Sequence, residues 1–143
     1  MLYLDTSALV KKYIEEARSP EVRNCISEHE TIATTTIARA ESAATFARAV
    51  RLGSLTEAAA RAGHQQFVRE WKTYMRIRVT ESLVARADHI AWTFRLRGYD
   101  AVHLAAALEW HDHLGEPITL ATFDEELWRA AAEAGLGRFP ANL

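Results

Sequence analysis

Four carboxylates stand out by where they fall: Asp5, Glu41, Asp100 and Asp124. Asp5 closes the short apolar run Leu2–Asp5, and Asp124 comes three residues after the run Ile118–Ala121. Asp100 falls in the first turn of a helix that follows Gly98. Glu41 sits early in a helix whose neighbours Ile37, Ala38, Ala40, Ala43 and Ala44 are mostly apolar. If the two runs are strands of one open parallel sheet, ligands bind beyond their carboxyl ends, and Asp5 and Asp124 share a rim. Four acids gathered there repel one another too strongly to coexist without a cation. An all-oxygen set, with no Cys or His cluster at ligand spacing, selects Mg2+ or Mn2+ over Zn2+. Ions of that kind support in-line hydrolysis of a phosphodiester.

Each acid taken singly also has a structural reading. Asp5 could cap a short helix at Thr6. Asp100 could cap its helix or favour the dipole, worth about 0.5–2 kcal/mol. Asp124 could decorate the first turn of a helix whose capping box is Thr122 and Glu125. Glu41 is the hardest to explain locally, because Arg39 and Arg48 do not lie at i±3 or i±4 from it. Ser7 and Thr122 are supporting hydroxyls with cap readings of their own. His103, three residues after Asp100, shares its side of the helix; packing or surface exposure is the preferred reading over action at the site.

The elements that must position these groups are set by periodicity and breakers. Strands are expected at Leu2–Asp5, Thr31–Thr34, Arg76–Thr80 and Ile118–Ala121, with Phe139 closing a final edge strand. A short helix starts at Thr6 or Ser7, and Ser19-Pro20-Glu21 opens the next with a cap and a proline at its first position. Thr35 or Thr36 caps a long helix that Gly53 stops, and Ser54 to Glu57 reads as a capping box for another, to about Tyr74. Further helices are expected over Glu81–Arg97, Tyr99–His113 and Phe123–Ala134. Strands alternating with helices imply an α/β fold with a mainly parallel sheet of four or five strands and about seven helices, in one domain over residues 1–143.

Bulk composition bounds the rest. The chain has 143 residues, 49% hydrophobic and 25% charged, ordinary for a globular protein with one core. The formal net charge of −2 means that any nucleic-acid partner must meet a local basic surface. Cys25 is the one cysteine, so no internal disulfide forms; it reads as a buried structural thiol. The N-terminus lacks the basic region and apolar core of a signal peptide, and Ala101–Leu108 is too short to cross a bilayer. A soluble, cytoplasmic protein with no membrane association is expected.

Taken as blocks, LYLDTSALVKKY, IARAESAA, LRGYDAVHLAAAL and LATFDEELWRAA resemble, in order, the motif series of PIN-domain toxins of the VapC type. The region between Glu41 and Asp100 carries no motif. The resemblance implies a three-layer α/β/α PIN fold. It also implies an endoribonuclease dependent on Mg2+ or Mn2+, with metal-binding acids at Asp5, Glu41, Asp100 and Asp124 and hydroxyls at Ser7 and Thr122. Its partners would be an RNA substrate, a VapB-type antitoxin and a second copy in a homodimer. For RNA, the densest basic segment is Arg69, Lys72, Arg76 and Arg78 with Trp71 and Tyr74 interleaved, joined by Arg95 and Arg97. The preferred reading of that segment is a solvated helix face with core aromatics. Trp92, Trp110 and Trp128 are expected in the core or at a dimer surface.

Rival families that begin with a strand-end Asp fit less well. A haloacid-dehalogenase phosphotransferase needs a second acid two residues on, where Ser7 stands. A receiver domain needs paired early acids and a late lysine, and no lysine follows Lys72. Two alternatives stay open within the family: a domain that binds RNA or protein without cleaving, and a processing nuclease with no antitoxin.

Overall fold

β1 (Leu2–Leu4) is apolar at every position and buried on both faces, which is the pattern of a central parallel strand. In the computed structural model, which describes residues 1–143, it lies in the middle of the sheet. Tyr3 points into a cluster with Leu83, Ile90, Leu104 and Leu127. Leu2 and Leu4 point the other way, against Leu9, Phe67 and Trp71. Period-two alternation thus splits the core into two layers, one on each face of the sheet.

The remaining elements, in chain order, are α1 (Thr6–Lys11), α2 (Ser19–Ser27), β2 (Ile32–Thr35), α3 (Ala38–Arg51), α4 (Glu57–Glu70) and a 3-10 turn at Trp71–Thr73. After them come β3 (Met75–Ile77), α5 (Glu81–Phe94), α6 (Gly98–Leu114), β4 (Thr119–Ala121), α7 (Glu125–Glu133) and β5 (Gly137–Phe139). The five strands are parallel in the order β3-β2-β1-β4-β5, with Leu2 opposite both Ile32 and Thr119. The expected three-layer α/β/α architecture holds. β1 and β4 are adjacent and parallel, so the segments leaving their carboxyl ends emerge at the same edge of the sheet.

Several boundaries differ from expectation because hydroxyls chose other partners. β1 stops at Leu4, and Asp5 is the N-cap of α1. Ser19 is already helical; the cap position is Arg18, in the left-handed region at φ 69°, while the Ser19 hydroxyl donates to the Ile14 carbonyl. Neither Thr35 nor Thr36 caps α3: Thr35 ends β2 and donates to the Ile77 carbonyl, tying β2 to β3. Ser54 closes α3 by donating to Ala49, and Thr56 caps α4 by accepting the Ala59 amide. β3 begins at Met75 and ends at Ile77, and Thr80 instead caps α5. α5 ends at Phe94, because Arg95 turns left-handed at φ 57°.

Gly63 allows the approach of α4 to the turn after α1 and to α3. A Cβ there would lie 2.7 Å from the Tyr13 carbonyl oxygen and 3.1 Å from Phe46. Trp110 takes the core alternative of its expectation, and Trp92, 83% exposed on α5, lies at the surface. No helix is long and apolar enough to cross a membrane.

Candidate active site

Where β1 and β4 end, two hydroxyls clasp a buried carboxylate. Asp5, only 4% exposed, accepts through Oδ1 from the Ser7 hydroxyl (2.8 Å) and the Ala8 amide (2.9 Å). Its Oδ2 accepts from the Thr122 hydroxyl at 2.8 Å. The same two hydroxyls accept in turn from the loop after β4: Ser7 Oγ from the Phe123 amide at 2.7 Å, Thr122 Oγ1 from the Asp124 amide at 3.0 Å. The reciprocal bonds fix the α1 start to the α7 start. Thr122 is therefore a bridge to Asp5, and the cap of α7 is Asp124, whose Oδ1 accepts the Leu127 amide at 3.0 Å. Burial pushes the Asp5 carboxyl above its ordinary range, against the opposing effects of His103 and of the Ala8, Ser7 and Thr122 hydrogen bonds.

Glu41 reaches the cleft from the first turn of α3. Its Oε2 accepts from the Thr6 hydroxyl at 2.7 Å and from His103 Nε2 at 2.8 Å. Burial raises the Glu41 carboxyl, but His103 and Thr6 more than offset this, and it titrates below its usual value. The missing helical partner of Glu41 is thus a histidine 62 positions away on α6. His103 is only 2% exposed, with Nδ1 lying 3.1 Å from the Tyr3 hydroxyl. It is packed, the preferred reading, and it also touches the site, the alternative kept beside it.

Asp100 and Asp124 meet at one guanidinium. Arg97 Nε donates to Asp100 Oδ2 at 3.0 Å, and Arg97 Nη2 donates to Asp124 Oδ2. Burial and the nearby Asp124 charge push the Asp100 carboxyl up, with Arg97 opposing them and Asp5 adding a smaller push. All four acids, with Thr6, Ser7 and His103, line one cleft of about 380 Å3. As the side chains stand, no three acids close on a single point.

The residues suit a hard divalent cation by donor chemistry. The donors are carboxylate oxygens, and both nitrogens of the one nearby histidine already face Tyr3 and Glu41. The guanidinium between Asp100 and Asp124 shows that this pair draws positive charge.

The basic segment follows its preferred reading, exposed cations beside core aromatics. Arg76 and Arg78 line a separate cleft at the β3 edge with Glu30 and Thr31, and Trp71 and Tyr74 beside them are largely buried core residues. Arg69 and Lys72 are exposed, and Arg95 borders a small cleft with Glu126 and Arg129. Of the six, Arg97 alone reaches the acids. Two residues not singled out in the sequence approach the cleft instead. Lys11 lines it, paired with Glu16 at 2.7 Å, and stands 4.6 Å from the Phe123 ring centre; the Arg18 guanidinium stands 5.3 Å from the same ring.

Comparison with known proteins bears on the family and the fold. The family model for the PIN domain matches residues 2–133. The chain is 31% identical over 144 residues to Ribonuclease VapC45 of Mycobacterium tuberculosis, covering 100% of this chain and 97% of that protein. Among solved structures, VapC20 of Mycobacterium tuberculosis, a sarcin-ricin loop cleaving toxin, superposes with a TM-score of 0.64 at 18% identity, over 95% of this chain and 96% of that one. VapBC2 from Rickettsia felis, bound to a promoter DNA fragment, gives 0.64 at 14% identity over 96% and 97%. By sequence over nearly its whole length, and by fold, the chain belongs to the PIN-domain family.

Proposed function

We propose that this protein is a divalent-metal-dependent endoribonuclease, the toxin of a VapBC-type pair, acting as one PIN domain over residues 1–143. The observation that carries the reading is the gathering of Asp5, Glu41, Asp100 and Asp124 in one cleft from four separate parts of the chain. The full-length likeness to Ribonuclease VapC45 supports RNA as the substrate.

Asp5, Glu41, Asp100 and Asp124 would hold Mg2+ or Mn2+. When bound, the ion supplies Lewis-acid polarisation of the phosphodiester and a nucleophile from water at neutral pH. The chain's own groups do the rest. Ser7 and Thr122 hold Asp5 against rotation from both of its oxygens. Arg97 pairs with both Asp100 and Asp124 and offsets part of their charge, and its guanidinium stands where it would be available to a substrate phosphate. Lys11 and Arg18, on the Phe123 side of the cleft, supply the local positive charge that a chain of net charge −2 needs for RNA.

The antitoxin would lie in the groove between α3 and α4, about 400 Å3, where Ala43, Phe46, Ala47, Val50 and Ala60 offer an apolar floor. Glu41 stands on the same α3 helix, so an amphipathic partner helix laid along the groove can aim an Arg or Lys at the acids. Homodimerisation would use the α5–α6 face, where Trp92, Val84 and Tyr99 are exposed.

Purified protein incubated with single-stranded RNA and Mn2+ or Mg2+ should cut internally and stop in EDTA. Asp5→Asn, Glu41→Gln and Asp100→Asn should each abolish cutting while the protein stays folded. RNA bound but intact under all metal conditions would support the binding-only alternative, and cleavage by any two of these variants would overturn the site.

A further inference from the structure

The two oxygens of the Glu41 carboxylate are not equivalent. Oε2 accepts two hydrogen bonds, from Thr6 at 2.7 Å and from His103 at 2.8 Å, which fills the two lone pairs of a carboxylate oxygen. Oε1 accepts none and is not sealed in the interior, so it is the oxygen left to the cleft. An ionised carboxylate only accepts, so His103 Nε2 must carry a hydrogen, and it does so whichever charge state the ring adopts. The ring is held in that orientation from behind. The fully buried Tyr3 meets Nδ1 with its hydroxyl at 3.1 Å and packs edge-on against the imidazole, with ring centres 6.0 Å apart. Tyr3 sits on the central strand β1, among the most constrained positions of the fold. A rigid strand therefore orients a ring, and the ring selects an oxygen of Glu41.

We propose that His103 is a positioning residue of the site: with Thr6 it saturates Oε2 of Glu41 and so directs Oε1 toward the bound cation. The inference rests on the reading of the acids as holders of a divalent ion. It also links two helices, since the same turn of α6 carries Asp100 and the ring that aims Glu41 from α3. Hydrogen-bonding partners behind a ligating group typically change metal affinity or activity by about 10–100-fold when removed.

The test compares His103→Leu, close in volume but without a donor, with His103→Gln, whose side-chain amide can still donate to Oε2. Mn2+ affinity is measured by calorimetry, RNA cleavage is followed in parallel, and folding is monitored by thermal melting. His103→Leu should bind Mn2+ roughly tenfold or more weakly, and His103→Gln should recover most of that loss, even where the two melt at the same temperature. Equal Mn2+ affinity in wild type and His103→Leu overturns the positioning role, and so does a His103→Gln variant as impaired as His103→Leu. Should the leucine variant fail to fold, His103→Asn, too short to reach Oε2, takes its place against His103→Gln. Imidazole 15N NMR of the metal-free protein adds an independent arm: the proton should be found on Nε2, and its absence overturns the inference with no metal present. A wild-type protein that binds no Mn2+ removes the metal reading as well as this one, which separates the two failures.

Discussion

Replacing Thr122 by valine tests the hydroxyl clasp around Asp5 at its centre. Valine keeps the shape of threonine and exchanges only the hydroxyl for a methyl. Thr122 is fully buried, and its hydroxyl donates to the buried Asp5 carboxylate at 2.8 Å while accepting the Asp124 amide at 3.0 Å. A hydrogen bond to a charged group contributes about 1.5–3 kcal/mol, and a buried amide left without an acceptor costs about 1–3 kcal/mol. Ser7 and Ala8 still serve Asp5 through its other oxygen, so the lower half of the combined range is expected, about 2.5–4 kcal/mol. For a domain of this size that corresponds to a melting temperature lower by roughly 10 °C. Thr122→Ser keeps the hydroxyl and loses one methyl, costing less than about 1.5 kcal/mol. Urea unfolding at pH 7 in EDTA reads both directly. The valine penalty should also shrink toward acid pH, because protonating Asp5 removes the charge that strengthens the bond. A valine variant as stable as wild type, or a serine variant as damaged as the valine one, refutes the clasp.

The neighbouring groups make further expectations testable. Asp5 and Asp100 both titrate above their ordinary 3.8, the folded state holding their protons more tightly than the unfolded chain. Their contribution is therefore full below about pH 4 and is lost as pH rises through the folded values. In EDTA, the melting temperature should carry a component that falls as pH is raised above 4, and Asp5→Asn should flatten it; an unchanged profile refutes the assignment. Glu41, held below its ordinary 4.5, runs the opposite way: its stabilisation is present above that value and fades as pH falls through the lowered one. Arg97→Gln should tighten Mn2+ binding by about threefold, since an exposed competing cation is removed, and weaker binding in calorimetry would show instead that Arg97 organises the acids. Gly63→Ala, which raises helix propensity by about 1 kcal/mol, should nonetheless lower the melting temperature, because the new Cβ meets the Tyr13 carbonyl at 2.7 Å.

Much of this protein can be read along its sequence, and the parts that can share a cause. The alternation of strand and helix, the helix stops at Gly53 and Gly115, and the placement of Asp5 and Asp124 just past two apolar runs depend on neighbours within a few residues. Periodicity and backbone preference act at that range, so the α/β class and the positions of Asp5 and Asp124 were legible in this way, while Glu41 and Asp100 were joined to them by the family resemblance. Caps were less so. Ser19, Ser54 and Thr122 each satisfy local cap patterns, yet Ser19 and Ser54 donate to carbonyls five residues back and Thr122 to Asp5 across the sheet. A short polar side chain has several partners of similar worth, and packing chooses between them.

What only the tertiary structure decided is pairing between distant groups. Glu41 with His103, Arg97 with Asp124, and Phe123 beside Lys11 and Arg18 arise because β1 and β4 are neighbours and α6 is packed against α5, α7 and β2. Charge along the chain makes Arg69 through Arg78 the densest basic segment, with a solvated face over core aromatics as its preferred reading. Folding left that segment at the β3 edge and turned Trp71 and Tyr74 into the core. Composition and spacing determine which groups are available and on which element each rides. Hydrogen bonds and ion pairs fall off within a few ångströms, so which of them act together is settled only when the sheet order brings separate elements to one edge.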